Sequence, residues 1–173
     1  LGGAINDESK RLRFLVEKVL QMSMFDRKKA IFKEKNIDIN ELVENAEQSF
    51  KLRVEHTGGK IYTEIEAVNS TICVDEIHFT NAIFNLMDNA VKYTPNPATI
   101  DIKAWTRDGY TYISIEDNGP GIARRQQRHI FDKFYRINSG DRYSSSGYGL
   151  GLYYAKGVAT RHHGTLTLTS ELG

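Results

Sequence analysis

Within the stretch FTNAIFNLMDNAVKYT, residues 79–94, five polar side chains recur at helical spacing: Asn81, Asn85, Asp88, Asn89 and Lys92. Asparagine is a mediocre helix former, and aligned asparagines add nothing to a helix that only packs. A row of amide oxygens ending in a lysine does supply ligands for a metal ion and for phosphate oxygens. Asn85 can give its oxygen to Mg²⁺, and Lys92, nearly two turns on, can meet phosphate as a point charge. A second acceptor, Asp117, precedes the turn Asn118-Gly119-Pro120-Gly121-Ile122, and an exocyclic amine would satisfy its carboxylate. Further on, Gly147-Tyr148-Gly149-Leu150-Gly151-Leu152 enters a helix, where bare backbone N–H groups and a positive dipole end suit phosphate. This is no Walker loop, because no Gly-Lys-Ser/Thr follows, and it lacks the spacing of the dinucleotide fingerprint. Each feature alone is a weak signal; together they fit a purine, a metal ion and a polyphosphate.

The elements that must position these groups are legible from periodicity. Phe79, Ala82, Ile83, Leu86 and Ala90 give the polar helix an apolar face, with Asp75 as its cap and Pro95-Asn96-Pro97 as its stop. Thr99–Thr106 and Tyr110–Asp117 alternate as two strands around Asp108-Gly109, a favoured hairpin pair. In the second strand Asp117 shares a face with Ile113 and Ile115, the buried side. Upstream, Asp38 and Glu41 resemble a capping box for a helix through Leu42, Val43, Ala46 and Phe50 to about Val54. Strands are expected over Lys60–Ala67 and Thr71–Val74, and a helix over Ala123–Tyr135 with Ile130, Phe131 and Phe134 on one side. Ile137–Ser146 is an aperiodic polar loop. The last helix runs from the glycine loop to about His163 with Gly164 as its stop, and a strand follows at Thr165–Thr169 with Leu166 and Leu168 inward.

Ala4–Phe25 is of a different kind. Ile5, Leu12 and Val19 recur every seventh residue, with Leu15 and Met22 completing a heptad seam that Glu8 interrupts. Such a helix needs a partner. The basic, polar residues 27–37 read as a hinge, giving the division 1–26, 27–37 and 38–173. The 173 residues carry 40% apolar and 26% charged side chains and a formal net charge of +1, which gives no reason to expect nucleic acid as a ligand. Arg27, Lys28, Lys29 and the pair Arg124, Arg125 read as solvated faces. The single Cys73 excludes an internal disulfide and reads as a buried structural thiol. There is no run of about 18 apolar residues.

From about Asp38 to Gly173 the chain resembles the ATP-binding catalytic domain of bacterial sensor histidine kinases, in the superfamily of gyrase, the Hsp90 chaperones and MutL. Asn85-Leu86-Met87-Asp88-Asn89-Ala90-Val91-Lys92-Tyr93-Thr94 is similar to the N box of that family. Asp117-Asn118-Gly119-Pro120-Gly121-Ile122 is similar to the first glycine box, Ile130-Phe131-Asp132-Lys133-Phe134-Tyr135-Arg136 to the F box, and Gly147–Leu152 to the second glycine box. Ala4–Phe25 resembles the second helix of the dimerisation and phosphotransfer hairpin.

The resemblance implies an α+β, two-layer α/β sandwich (the Bergerat ATP-binding fold), a mixed sheet with helices on one face, preceded by one coiled-coil-type helix. It implies ATP and Mg²⁺ as cofactors, with Asn85 on the metal, Asn89 and Lys92 on phosphates and Tyr93 beside the nucleotide. Asp117 would accept from the adenine amino group, with Gly119, Gly121 and Ile122 lining the base pocket. Ile130, Phe131 and Phe134 would support a lid at Ile137–Ser146, Arg136 would approach the γ-phosphate, and Gly147, Gly149, Leu150, Gly151 and Leu152 would wrap the phosphates.

No histidine of the chain, His56, His78, His129, His162 or His163, has the surroundings of the family's phosphoacceptor. His78 and His129 read as packing or surface residues, and His162 and His163 as imidazolium at a helix C-terminus. The family's last strand is not found after Gly173. The reading is a cytoplasmic fragment of a membrane-anchored bacterial kinase that is a homodimer at full length. It would phosphorylate a histidine outside this chain and serve a response-regulator receiver domain. The competing readings are an ATPase or anti-sigma-factor-like serine kinase of the same superfamily, and a non-catalytic nucleotide-binding sensory module.

Overall fold

The computed structural model describes residues 2–26, 31–66, 69–137 and 150–173, which form two compact units, 1–32 and 33–173. The first unit is one helix, α1 (Gly2–Asp26). Its seam residues Ile5, Leu12 and Val19, joined by Val16, are exposed; the side chains of Leu15 and Met22 lie outside the described residues.

The second unit begins with an element the sequence reading lacks. Residues 34–37, expected within the hinge, belong to strand β1 (Glu34–Asp38), which pairs antiparallel with β3 (Thr71–Asp75). Between them lie α2 (Ile39–His56) and β2 (Lys60–Glu66); Ala67 lies outside the described residues. Asp38 caps α2, although its carboxylate accepts from the N–H of Asn40 rather than that of Glu41. Then come α3 (Glu76–Tyr93), β4 (Thr99–Arg107), β5 (Tyr110–Asp117), α4 (Arg124–Gln127) and α5 (Gly151–Arg161). The main sheet has the order β2-β4-β5, parallel across the first pair and antiparallel across the second, so it is mixed. The hairpin turns at Asp108 and Gly109, both at positive φ (52° and 82°), which matches the twist of the strands it joins.

One face of this sheet carries the core. Ile100, Ile102 and Ala104 of β4 are buried and cluster with Ile39, Val43 and Phe50 of α2 and with Met87 and Ala90 of α3. At about 25 cal/mol per Å², burying side chains of this size stabilises by roughly 1.5–3 kcal/mol each. Met87 is completely buried and Leu86 only partly, so the apolar face of α3 is rotated slightly from the one expected. The opposite sheet face meets water, with Trp105 stacked on Tyr112 at 5.3 Å and Lys103 beside Glu64. The result is a two-layer α/β sandwich.

Four local expectations are corrected. Cys73 is exposed, because the alternation of β3 turns Ile72 and Val74 inward and leaves the thiol outside. The helix expected over Ala123–Tyr135 is only Arg124–Gln127; successive three-residue turns follow, and Phe134 takes φ 65°, which no helix continues through. Residues 165–169 pair in neither sheet, and Leu168 is exposed rather than inward. A strand exists only by pairing, and this segment is held instead through Ser170, whose hydroxyl accepts from the Ile122 N–H at 2.8 Å and whose carbonyl accepts from the Gln127 amide.

The fourth correction concerns the end of α5. Gly164 N–H reaches the Ala159 carbonyl at 2.8 Å and His163 N–H that of Thr160 at 3.1 Å, a Schellman ending whose left-handed residue is His163, φ 60°, not Gly164. A side chain there is strained by about 1 kcal/mol. His163→Gly is therefore expected to stabilise the protein by up to ~1 kcal/mol, read as a rise in the urea midpoint at unchanged slope; a fall would contradict the assignment.

Candidate functional site

Helix α3 is the common wall of the site. Asp75 opens it by accepting from the His78 N–H at 3.0 Å and also holds the Lys33 N–H at 2.9 Å. One polar residue of the row turns out to be structural. Asn81 bonds the hydroxyl of Tyr154, a buried residue of α5 whose oxygen lies 2.6 Å from His78 Nδ1. Asn85 does face the glycine segment: a Cβ built on Gly151, the first residue of α5, would stand 3.6 Å from the Asn85 carboxamide oxygen. Among the described residues no side chain caps α5, whose first N–H groups suit an anion beside Asn85. Leu150 is buried, so what it can offer a ligand is backbone, and Leu152 is half-buried. Gly147 and Gly149, with residues 138–146 of the expected lid, lie outside the described residues.

Further along α3, Asn89 is half-buried and Lys92 exposed, with the Lys92 ammonium 2.8 Å from Asp88 Oδ2. Tyr93 is exposed, and the chain then meets the other half of the site. A Cβ on Gly119 would lie 2.7 Å from Asp117 Oδ1, 3.2 Å from the Thr94 hydroxyl and 3.4 Å from the Tyr93 carbonyl. A side chain at 119 would push the Asp117 carboxylate out of its place and press on Thr94. Asp117 shares the face of Ile113 and Ile115 but ends the strand beyond the core and is exposed. One of its oxygens takes the Gly119 N–H at 2.8 Å, and the other has no hydrogen-bond partner among the described residues. The Thr94 hydroxyl is buried, 4% exposed, and likewise has none. A buried unsatisfied hydroxyl costs about 1–3 kcal/mol unless a ligand or water completes it, and this one sits at the corner of Asp117 and Gly119. The residues present therefore fit a nucleotide base. Thr94 is a site candidate that periodicity does not reveal, since it follows the last helical turn.

Gly121 is also demanded by packing. Its φ is 76°, and a Cβ would come 1.8 Å from the Glu171 carbonyl. Ile122 is half-buried, fixed at both backbone ends by Ser170 and Gln127. In the aromatic segment Ile130 is buried, Phe131 lies under the Lys156 ammonium at 4.8 Å, and Phe134 and Arg136 are exposed. Phe131 lines a cavity of about 550 Å³ with Arg124, Arg125, Gln127, Arg128 and Leu168. Among the described residues no three His, Cys, Asp or Glu side chains gather to hold a metal. Any Mg²⁺ would rest on Asn85, on ligand phosphates and on water, the usual habit of that ion.

His162 closes the end of α5 onto the start of α3: its Nε2 accepts the Asp75 N–H at 2.9 Å and its Nδ1 contacts the Val158 carbonyl at 2.8 Å. His78 packs as expected, and burial pushes its pKa down, reinforced by His162 and Arg161 and opposed by Asp75. Burial likewise raises Tyr154 to about 12. For Asp75, burial pushes the pKa up, but backbone hydrogen bonds from His78 and Lys33 outweigh it and hold the carboxyl below its ordinary value. A histidine whose folded pKa is depressed contributes stability fully above the unfolded value near 6.5 and loses it as pH falls further. The thermal midpoint is therefore expected to fall between about pH 7 and pH 5.5, and His78→Gln to flatten that slope in circular-dichroism melts. Asp75 acts only below about pH 3.8 and Tyr154 only above about pH 10, so neither contributes in this window. An unchanged slope in the variant would refute the assignment to His78.

Fold and site together define an α/β sandwich of the ATP-binding kind, with α3 as one wall of the candidate site. The chain belongs to the histidine kinase-, DNA gyrase B-, and HSP90-like ATPase family, whose description matches residues 74–173, more than half of its length. It is 50% identical over 174 residues to the sensor protein RprX of Bacteroides fragilis, spanning 99% of this chain and 34% of RprX. It is 29% identical to the sensor-like histidine kinase SenX3 of Mycolicibacterium smegmatis, over 96% of this chain and 43% of SenX3. The chain thus spans a third to under half of the relatives it matches. Among solved structures, full-length ShkA in complex with AMPPNP superposes with a TM-score of 0.86 at 25% identity, covering 98% of this chain and 35% of ShkA. No helix among the described residues is long and apolar enough to cross a membrane.

Proposed function

We propose that the chain is the ATP·Mg²⁺-binding catalytic portion of a two-component sensor histidine kinase, divided as 1–26, 27–37 and 38–173 into a partial phosphotransfer helix, a connecting segment and the catalytic domain. The observation that carries this reading is the arrangement along α3: Asn85, at the middle of the helix, faces the start of α5, and the Thr94 hydroxyl, unsatisfied among the described residues, meets Asp117 and Gly119 just past its end. Asp117 accepts from the adenine amino group, while Gly119, Gly121 and Ile122 shape the base pocket. Tyr93 borders the nucleotide, and Asn89 and Lys92 meet the phosphates. Asn85 is the protein's metal ligand. Arg136 approaches the γ-phosphate, with Phe131 and Phe134 anchoring the segment that leads to Gly147 and Gly149.

Mg²⁺, when bound, neutralises charge on the transferring phosphoryl oxygens. What this chain contributes is position and fixed charge: the ammonium of Lys92 and the first amides of α5 meet the phosphates, and the nucleotide is held in one orientation by its base. Little covalent chemistry is asked of it. The nucleophile is a histidine on a partner helix of the full-length homodimer, which stands in the cytoplasm, anchored to a membrane, and passes the phosphoryl group to a response-regulator receiver domain. The test supplies a histidine-bearing hairpin in trans with γ-labelled ATP. The label should transfer, survive alkali and be lost in acid; the reverse stability would identify a hydroxyl acceptor and sink the histidine assignment.

A further inference from the structure

The carboxylate of Asp88 stands between two cations. Lys92 Nζ lies 2.8 Å from its Oδ2, and Arg53 Nη2 lies 3.0 Å from its Oδ1. Lys92 is one turn further along α3, whereas Arg53 comes from the last turn of α2. The Arg53 guanidinium rests 5.3 Å over the Phe50 ring, which meets Phe84 edge-on at 5.8 Å, so packing holds it at Asp88. Burial pushes the Asp88 carboxyl up, but the hydrogen bonds from Lys92 and Arg53 outweigh it and leave its pKa below the ordinary value. Asp88 is therefore charged at neutral pH with both oxygens engaged, which leaves it no role as a metal ligand. The consequence falls on Lys92. Before any phosphate arrives, its ammonium already has a counter-ion on its own helix, and that counter-ion is shared with a second helix.

We propose that Asp88 sets the affinity of the phosphate end of the site: phosphate oxygens must displace it from Lys92, and Arg53 determines how firmly it holds. The proposal rests on the reading of Lys92 as a phosphate contact. Its sign follows from charge. Without the carboxylate, Lys92 and Arg53 both present uncompensated positive charge to an anion. Without Arg53, the whole carboxylate charge falls on Lys92 and opposes the anion more strongly. The two ends of one ion-pair network thus act in opposite directions, which no loss of packing would produce.

The test is calorimetric titration of the 173-residue chain with ATP and, separately, adenosine. Asp88→Asn, which keeps the shape and one acceptor oxygen, should tighten ATP binding about threefold to tenfold. Arg53→Met should weaken it by a similar factor, Arg53→Lys should restore it, and adenosine, having no phosphates, should bind all variants alike. Shifts of the same sign in Asp88→Asn and Arg53→Met, or no tightening in the first, would overturn the proposal. Lys92→Met separates the two levels. If it leaves ATP affinity unchanged, the phosphate role of Lys92 has failed and takes this proposal with it. If it weakens ATP binding while the other two variants do not diverge, only the counter-ion proposal has failed.

Discussion

Replacing Asn85 by alanine is expected to reduce phosphotransfer by the full-length protein a hundredfold or more, about 3 kcal/mol of transition-state stabilisation. The reason lies in what surrounds it. Among the described residues there is no carboxylate or histidine cluster that would keep a metal in place after the amide is gone. Asn85 also faces Gly151, so its oxygen and the first N–H groups of α5 converge on the same volume. Alanine removes the amide oxygen and leaves the helix intact, since alanine is the better helix former. Transfer of label from γ-labelled ATP to the phosphoacceptor hairpin, compared at equal protein stability, measures the loss. Unchanged transfer would mean that the domain binds nucleotide to change shape rather than to react.

Asp117→Asn should weaken ATP binding by roughly 1–3 kcal/mol, or about five- to 150-fold in Kd. One carboxylate oxygen is committed to the Gly119 N–H at 2.8 Å and the other is open. An asparagine has one oxygen for two donors. Wherever it points, its NH₂ group confronts either the Gly119 amide or the amino group of adenine. The same variant should bind inosine triphosphate better than the parent does, because a carbonyl at the six-position accepts where adenine donates. Calorimetric titration with both nucleotides decides it. Equal ATP affinity in parent and variant would remove Asp117 from base recognition.

Much of this was readable from residue order because the signals were local. The β4–β5 hairpin announces itself through strict alternation and Asp108-Gly109, and the Asp75 cap through its position before an apolar stripe. Strand β1 is not legible in the sequence because Glu-Lys-Asn-Ile-Asp buries only Ile37; its pairing is decided by β3, more than thirty residues away. The exposure of Cys73 is not written in its short apolar run, whose register only the neighbours of β3 supply. In the site, residue types revealed the donors and acceptors, whereas the Thr94 hydroxyl and the Arg53–Asp88–Lys92 network depend on tertiary contacts that spacing along one helix cannot contain. His163 in the left-handed position is the same kind of case, since the glycine beside it offered the cheaper solution.

On the proposed roles of Asn85 and Tyr93, α3 is a ruler. The two residues are eight positions apart, about 12 Å at 1.5 Å per residue, and no hinge interrupts them. A ligand that reached only one mark would satisfy only half of the site, so such a helix would gauge the length of a nucleotide's phosphate tail with a scale that thermal motion scarcely stretches.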